Sequence, residues 1–113
     1  EGFDFDYAMD IFQDEGILKV ILIDFYEALD ELCEKLNGLY NTIREDDNLT
    51  LYRLEVHALK STSASVGALQ ISEQAKLLEE AAIAGDIERI SCKHPLLMED
   101  IAKHKERLAV IIQ

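Results

Sequence analysis

The chain has 113 residues, a length that suits one hydrophobic core, so we expect residues 1–113 to form a single domain. Hydrophobic residues make up 49% and charged residues 30%, with one Pro and five Gly, which is typical of a packed soluble domain and excludes a disordered chain. Lys and Arg number 11 against 23 Asp and Glu, giving a net charge of −12, so we expect no nucleic-acid partner and no contact of this domain with a membrane.

The cysteine content and the length of the apolar runs point to a reducing compartment. Cys33 and Cys92 are too few for a disulfide framework, and both lie in apolar helical patterns where a free thiol behaves as a small hydrophobe. The apolar runs are shorter than the ~18 residues of a membrane span, and no signal peptide is evident. We expect a cytoplasmic domain, and its start at Glu1 without Met is compatible with a piece of a longer protein.

The first half of the chain carries the strongest helical signal. Over residues 16–44, apolar side chains recur at steps of three and four, which is the spacing of one face of a long helix. They are Leu18, Ile21, Leu22, Phe25, Leu29, Leu32, Leu36, Leu39 and Ile43. A short lead helix over residues 4–12 is predicted before it, folding Tyr7, Ile11 and Phe12 over one end of the domain.

Helix start and stop signals divide the remainder into three more segments. Asn48 is a candidate N-cap for a second helix over residues 49–66, and Gly67 would supply the left-handed residue that closes it. A third helix, starting at Ala68 and Leu69, would end at Gly85.

Asp86 would then cap a fourth helix, in which Pro95 predicts a kink or a break over residues 91–95. No segment alternates apolar and polar residues as a strand would, and the connectors are short. The sequence therefore predicts an all-α, antiparallel up-and-down four-helix bundle with a short extra N-terminal helix.

His57 is predicted to face water from the second helix. On a helical projection the apolar residues of this helix lie about 100° to 200° from the imidazole. They are Leu51, Ala58, Leu59, Thr62 and Val66. Glu55 falls within the same arc, which fits only if that arc is partly buried.

The neighbours of His57 at helical spacing are basic or small. Arg53 and Lys60 could neutralise phosphoryl oxygens, Ser61 could donate a hydrogen bond, and the small surface at Thr50, Ser61 and Ala64 would let a partner come close. A neutral imidazole is nucleophilic near pH 7, so such a ring can accept a phosphoryl group. Spacing alone, however, favours an ordinary surface histidine.

Other candidate sites have simpler interpretations. His94 and His104 continue the apolar stripe of the last helix, and a di-metal bundle would need Glu-x-x-His pairs that the sequence lacks, so we expect half-buried structural histidines, with Asp100 bonded to His104. The carboxylates near Cys33 would raise rather than lower a thiol pKa, which disfavours a cysteine nucleophile. Acidic clusters at 4–6, 14–15, 45–47 and 79–80 are interpreted as solvated faces.

The sequence around His57 resembles the signature of histidine phosphotransfer (HPt) domains. Residues 57–68 read His-Ala-Leu-Lys-Ser-Thr-Ser-Ala-Ser-Val-Gly-Ala, where the family has His-x-Leu-Lys-Gly-Ser-Ser followed, after three residues, by Gly-Ala. The order of flanking helices is also similar over nearly the whole chain. Ser61 departs from the pattern, since the family usually has Gly there, and this leaves the closeness of partner docking open.

The resemblance implies a phosphorelay intermediate of two-component signalling. His57 would accept a phosphoryl group at Nε2 from a receiver-domain phosphoaspartate and pass it to another receiver aspartate, with Lys60 as the positive partner and Gly67 ending the helix. The domain would need no cofactor, because the receiver holds the Mg²⁺, and no ATP-binding or kinase motif is present.

The expected partners are response-regulator receiver domains and a hybrid sensor histidine kinase, and the domain is expected to be a monomer. Docking would bury a small, transient interface below ~1,200 Å² on the rims of the first long helix and the His57 helix. Two alternatives stay open at this point: a helical docking module without phosphotransfer, and a metal-binding or enzymatic bundle.

Overall fold

The computed structural model describes residues 15–112, which form four helices and no strand. They are α1 (Glu15–Asn41), α2 (Asn48–Ser65), α3 (Leu69–Ile83) and α4 (Ile87–Ile112). Helices adjacent in the chain pack against each other, and α4 closes the bundle against α1. The predicted all-α four-helix bundle is confirmed, whereas the predicted lead helix over residues 4–12 lies outside the described residues.

The turns after α2 and α3 end their helices in the same way. Gly67 and Gly85 adopt φ values of 82° and 69°, a left-handed conformation that glycine reaches without strain from a Cβ. At the first turn the Gly67 N–H donates to the Ala64 carbonyl and the Ala68 N–H to the Ser63 carbonyl. This Schellman arrangement satisfies the last carbonyls of α2 and confirms the predicted end at Gly67.

Of the other predicted boundary signals, the Asn48 cap and the break near Pro95 are wrong, and the Asp86 cap is confirmed. Asn48 does not cap α2, because its side-chain amide donates to the carbonyl and hydroxyl oxygens of Thr42 in the preceding turn. The predicted break at Pro95 is wrong, because one continuous helix runs through this residue, whereas the alternative of a kink there stays a prediction. Asp86 caps α4 as predicted, with its Oδ1 accepting from the Arg89 N–H at 3.1 Å.

The buried face of α2 differs from the predicted one. Leu51, Ala58 and Thr62 are exposed, whereas the buried stripe is made of Tyr52, Val56, Leu59 and Ser63. Tyr52 and Ser63 carry polar atoms, so a search for apolar spacing alone assigned the buried face to a neighbouring arc of the helix.

The polar atoms of this stripe are satisfied within the bundle. Ser63 Oγ donates to the Leu59 carbonyl at 2.5 Å, and the Tyr52 hydroxyl bonds to His94. Glu55 no longer conflicts with the pattern, because its arc is only partly buried and its carboxylate pairs with Lys35 of α1 at 2.5 Å.

His94 lies at the centre of a buried polar network that joins three helices. Its Nδ1 is 2.7 Å from the Tyr52 hydroxyl of α2 and its Nε2 is 2.7 Å from Asn37 Oδ1 of α1, while the ring stacks on Tyr40 with 4.2 Å between centroids. Asn37 Oδ1 can only accept, so Nε2 carries the proton and Nδ1 accepts from the tyrosine. Burial lowers the pKa of His94 to about 4, so the ring is neutral.

We expect the buried His94 to make the bundle less stable as the pH falls from 6.5 towards 4. Below pH 6.5 the histidine of the unfolded chain binds a proton that the folded ring does not. The free energy of unfolding therefore has its full value above pH 6.5 and decreases on acidification. The loss at pH 5 should be about 2 kcal/mol, measured by urea denaturation at pH 7 and pH 5. Because Glu79 and His104 also have lowered pKa values, the same measurement on His94→Gln isolates the effect, and an equal slope in the variant would contradict it.

Candidate functional site

His57 projects from the middle of α2 with 58% of its side chain exposed. Its Nδ1 is hydrogen bonded to the Oε2 atom of Glu79 on α3. Its Nε2 has no hydrogen-bond partner among the described residues. Because a carboxylate accepts, Nδ1 donates its proton to Glu79, and in the neutral ring the lone pair belongs to Nε2, on the side of the solvent.

Glu79 is buried, with 11% of its side chain exposed, and holds two partners at once. Besides His57 Nδ1, it accepts a hydrogen bond from Lys60 Nζ on Oε1 at 2.6 Å. The Lys60 ammonium, and next the hydrogen bond from His57, hold the pKa of Glu79 below its ordinary value, although burial acts in the opposite direction. Glu79 is therefore an ionised carboxylate beside the exposed ring.

The sequence interpretation of Glu79 as part of a solvated acidic cluster is wrong. The position of Glu79 on its helix indicated that it could be buried. It directly follows Leu78 and stands one turn after Ala75, and both of these residues are buried. An acidic residue next to the apolar stripe of the helix that follows the His57 helix is a candidate hydrogen-bond partner for the histidine. Glu80, the other acid of the pair, is exposed as predicted.

Contacts at the α2–α3 junction fix Glu79 in register with His57. The tight turn at Gly67 returns the chain at once, and Ala68 is fully buried where the two helices meet. One turn into α3, the Ser72 hydroxyl donates to the Lys60 carbonyl of α2 at 2.8 Å. The site therefore rests on backbone contacts as well as on its own side chains.

The other residues predicted around His57 lie on the same side of α2. Thr50 and Ser61 are exposed, and Arg53 and Ala64 are half-buried. Within the described residues, the Arg53 guanidinium forms no ion pair. Only Lys60, of the predicted residues, is joined to His57 through a shared partner.

A shallow apolar groove runs beside this face, between α1 and α2. Its lining comes from Ile21, Asp24, Phe25, Ala28, Leu29 and Leu32 of α1 and from Glu55, Ala58, Leu59, Thr62 and Val66 at the α2 side. Leu54, which is 51% exposed, lies on α2 between the groove and His57 on a helical projection. These α1 side chains therefore lie next to the face of α2 that carries His57.

Comparison with known families decides the relationship of this chain. Residues 20–108 match the model of the Hpt domain. The chain belongs to the Hpt domain family. No curated protein and no solved structure gave a significant match. Hpt domains act as phosphocarriers, not kinases, in two-component signalling, where they interact with receiver domains and kinases, so the domain has a phosphotransfer role.

Other sites considered from the sequence differ in detail from what was expected. His94 and His104 are buried rather than half-buried. Asp100 Oδ1 accepts a hydrogen bond from Gln70 Nε2 at 3.3 Å, and the expected bond between Asp100 and His104 stays a prediction. Burial, followed by the charge of Asp30, raises the pKa of the Cys33 thiol, whereas Cys92 is exposed and not the packed hydrophobe that was predicted.

Residues 15–112 of the Hpt domain contain neither a metal-binding cluster nor a membrane-spanning helix. No cluster of three or more His, Cys, Asp or Glu side chains is placed to hold a metal ion. None of the helices described for this chain is long and apolar enough to span a bilayer.

We expect His57 and His94 of this Hpt domain to carry their protons on opposite nitrogens. Glu79 accepts from Nδ1 of His57, whereas Asn37 accepts from Nε2 of His94. When both imidazole rings are neutral, their ¹⁵N spectra should show a protonated Nδ1 for His57 and a protonated Nε2 for His94. The same protonated nitrogen in both rings would contradict the hydrogen-bond assignment.

Proposed function

We propose that His57 is the phosphoacceptor of a phosphorelay, taking a phosphoryl group from one receiver aspartate and delivering it to another. The observation that supports this most is the arrangement of the ring, with Nδ1 bonded to the ionised Glu79 and Nε2 free of partners in the described structure. An exposed nucleophilic nitrogen held in a fixed orientation is what transfer between two docked domains requires.

In the proposed step, the Nε2 lone pair of His57 attacks the phosphorus of the aspartyl phosphate. The P–N bond forms, the P–O bond to the aspartate breaks, and the carboxylate leaves with the electron pair. The Nδ1 proton stays on the ring beside Glu79 throughout. The return step to a second aspartate reverses these changes, so the partners present set the direction of flow.

Lys60 is proposed to follow the phosphoryl charge. In the unphosphorylated domain its ammonium is bonded to Glu79, which places it one helical turn from the reacting ring. A phosphoryl group on Nε2 brings close to two negative charges, which attract a flexible ammonium more strongly than a carboxylate already shared with the ring. Arg53 and Ser61 are secondary candidates for contacts with the phosphoryl oxygens.

The receiver is proposed to dock over the α1–α2 groove, with Thr50 and Ala64 at the rim near His57. The groove offers apolar contact area, and Leu54 and Leu51 are about half exposed beside it. Such a surface suits a small, reversible interface. We expect the receiver to hold the Mg²⁺ that neutralises the transferring phosphoryl group, so that this domain contributes no metal ligand.

We expect His57→Gln to abolish phosphoryl transfer while the bundle stays folded. Glutamine can still donate to Glu79 but has no nucleophilic nitrogen, and the exposed position makes little contribution to stability. Mixing the domain with a ³²P-labelled receiver should give base-stable, acid-labile label on the wild type only, with circular dichroism as the folding control.

Two outcomes of that experiment would count against the proposal. Label that persists on His57→Gln would show that another residue accepts the group. A wild-type domain that binds receivers with the same affinity as His57→Ala, and never takes label, would instead identify a docking module without phosphotransfer.

We expect Lys60→Ala to slow transfer by about 100-fold, the lower end of the range for losing one charge-stabilising donor at a transition state. The measurement is the rate of label transfer from the receiver under single-turnover conditions. Lys103→Ala is the matched control, because it removes an exposed cation of α4 whose one ion pair among residues 15–112 is with Glu99 of the same helix. Unchanged rates in Lys60→Ala, with an unchanged melting temperature, would refute the role of Lys60.

A further inference from the structure

The ease with which a phosphohistidine gives up its phosphoryl group depends on the proton at the other ring nitrogen. When the P–Nε2 bond breaks, the electron pair returns to Nε2. If Nδ1 carries a proton, the leaving group is a neutral imidazole. If Nδ1 has lost its proton, the leaving group is an imidazolate anion, which is far more basic and leaves far more slowly.

In this domain the group beside Nδ1 is an ionised, buried carboxylate. Glu79 Oε2 is bonded to His57 Nδ1, and only 11% of the Glu79 side chain is exposed. A negative charge within hydrogen-bond distance favours the protonated form of a ring nitrogen, and screening by water is reduced for a buried charge. Glu79 is also held from the other side by Lys60, which keeps the carboxylate in place.

We propose that Glu79 is a positioning residue that keeps Nδ1 of phosphorylated His57 protonated and so sets the upper pH limit for release of the phosphoryl group. The inference rests on the proposed function of His57 and adds to it the control of phosphohistidine lifetime. If Lys60 turns to the phosphoryl oxygens, Glu79 retains Nδ1–H as its remaining partner at this site. Its whole charge then acts on that proton.

The other charged groups near the ring act less directly. Arg53 and Lys60 on α2 are cations and disfavour a protonated ring. On α3, Lys76 lies one turn before Glu79 and Glu80 follows it directly, but both are exposed. No hydrogen bond or ion pair of theirs to His57 occurs among the described residues. Glu79 is therefore the group that favours the Nδ1 proton by direct contact.

The test uses the phosphorylated domain without any receiver. Phosphoramidate, whose P–N bond breaks as ammonia leaves, phosphorylates the protein, and ³¹P NMR follows loss of the phosphohistidine signal from pH 6 to pH 10. Three proteins are compared: the wild type, Glu79→Gln, which keeps an acceptor oxygen but removes the charge, and Glu80→Gln, which removes the neighbouring exposed charge.

We expect the alkaline fall-off of the loss rate to move down by about one pH unit in Glu79→Gln, as removal of an adjacent opposite charge implies. Above the fall-off the variant should hold its phosphoryl group about 10-fold longer than the wild type. Glu80→Gln should match the wild type. The ¹⁵N signal of Nδ1 should lose its proton over the same shifted range, which a merely structural role of Glu79 would not cause.

Equal fall-off in wild type and Glu79→Gln would overturn the inference. If Glu79→Gln does not fold, Glu79→Asp takes its place, since its carboxylate is shorter by one methylene and lies farther from Nδ1, and an unchanged fall-off in that variant would overturn the inference as well. No receiver takes part in this test, so it can be told apart from the test of the proposed function. Failure of receivers to label His57 would refute the proposed function, whereas the role of Glu79 is decided by the pH profiles alone.

Discussion

One buried carboxylate, Glu79, connects the exposed face of α2 to the rest of the bundle. It accepts from His57 Nδ1 and from Lys60 Nζ, so a single anion orients the ring and holds the nearest cation. The cost of burying this charge is offset by the two hydrogen bonds that Glu79 accepts, one from the Lys60 ammonium and one from the His57 ring. Without it, an exposed imidazole on a helix would be free to rotate, and its two nitrogens would be equivalent in their access to solvent.

The rigid support of this pair comes from the opposite side of α2. Tyr52, Val56 and Leu59 are buried in the core, and the Tyr52 hydroxyl continues into the network of His94 and Asn37. Polar groups in a core specify one arrangement when all of them are bonded, because any shift would leave one unsatisfied. The two histidines illustrate the effect of environment: burial makes His94 a neutral structural group, and exposure leaves His57 available for chemistry.

Charge distribution separates the site from the remaining surface. The chain carries a net charge of −12, yet the face around His57 bears Arg53 and Lys60. Lys60 is paired with the ionised Glu79, so Arg53 is the cation of this face that forms no ion pair among the described residues. The overall negative charge disfavours nucleic acids and anionic lipid. The apolar groove between α1 and α2 lies beside this face, so the proposed docking surface includes apolar area as well as charge.

The sequence by itself determined the number and order of the described helices, the turns at Gly67 and Gly85, the Asp86 cap and the family, because these depend on local periodicity, backbone conformation and a contiguous motif. It misplaced the buried arc of α2, since Tyr52 and Ser63 are polar residues whose partners are distant in sequence or on the backbone. Glu79 was missed for the same reason. A carboxylate 22 residues after His57 becomes its hydrogen-bond partner only when α2 and α3 pack in one register, and no local pattern encodes that register.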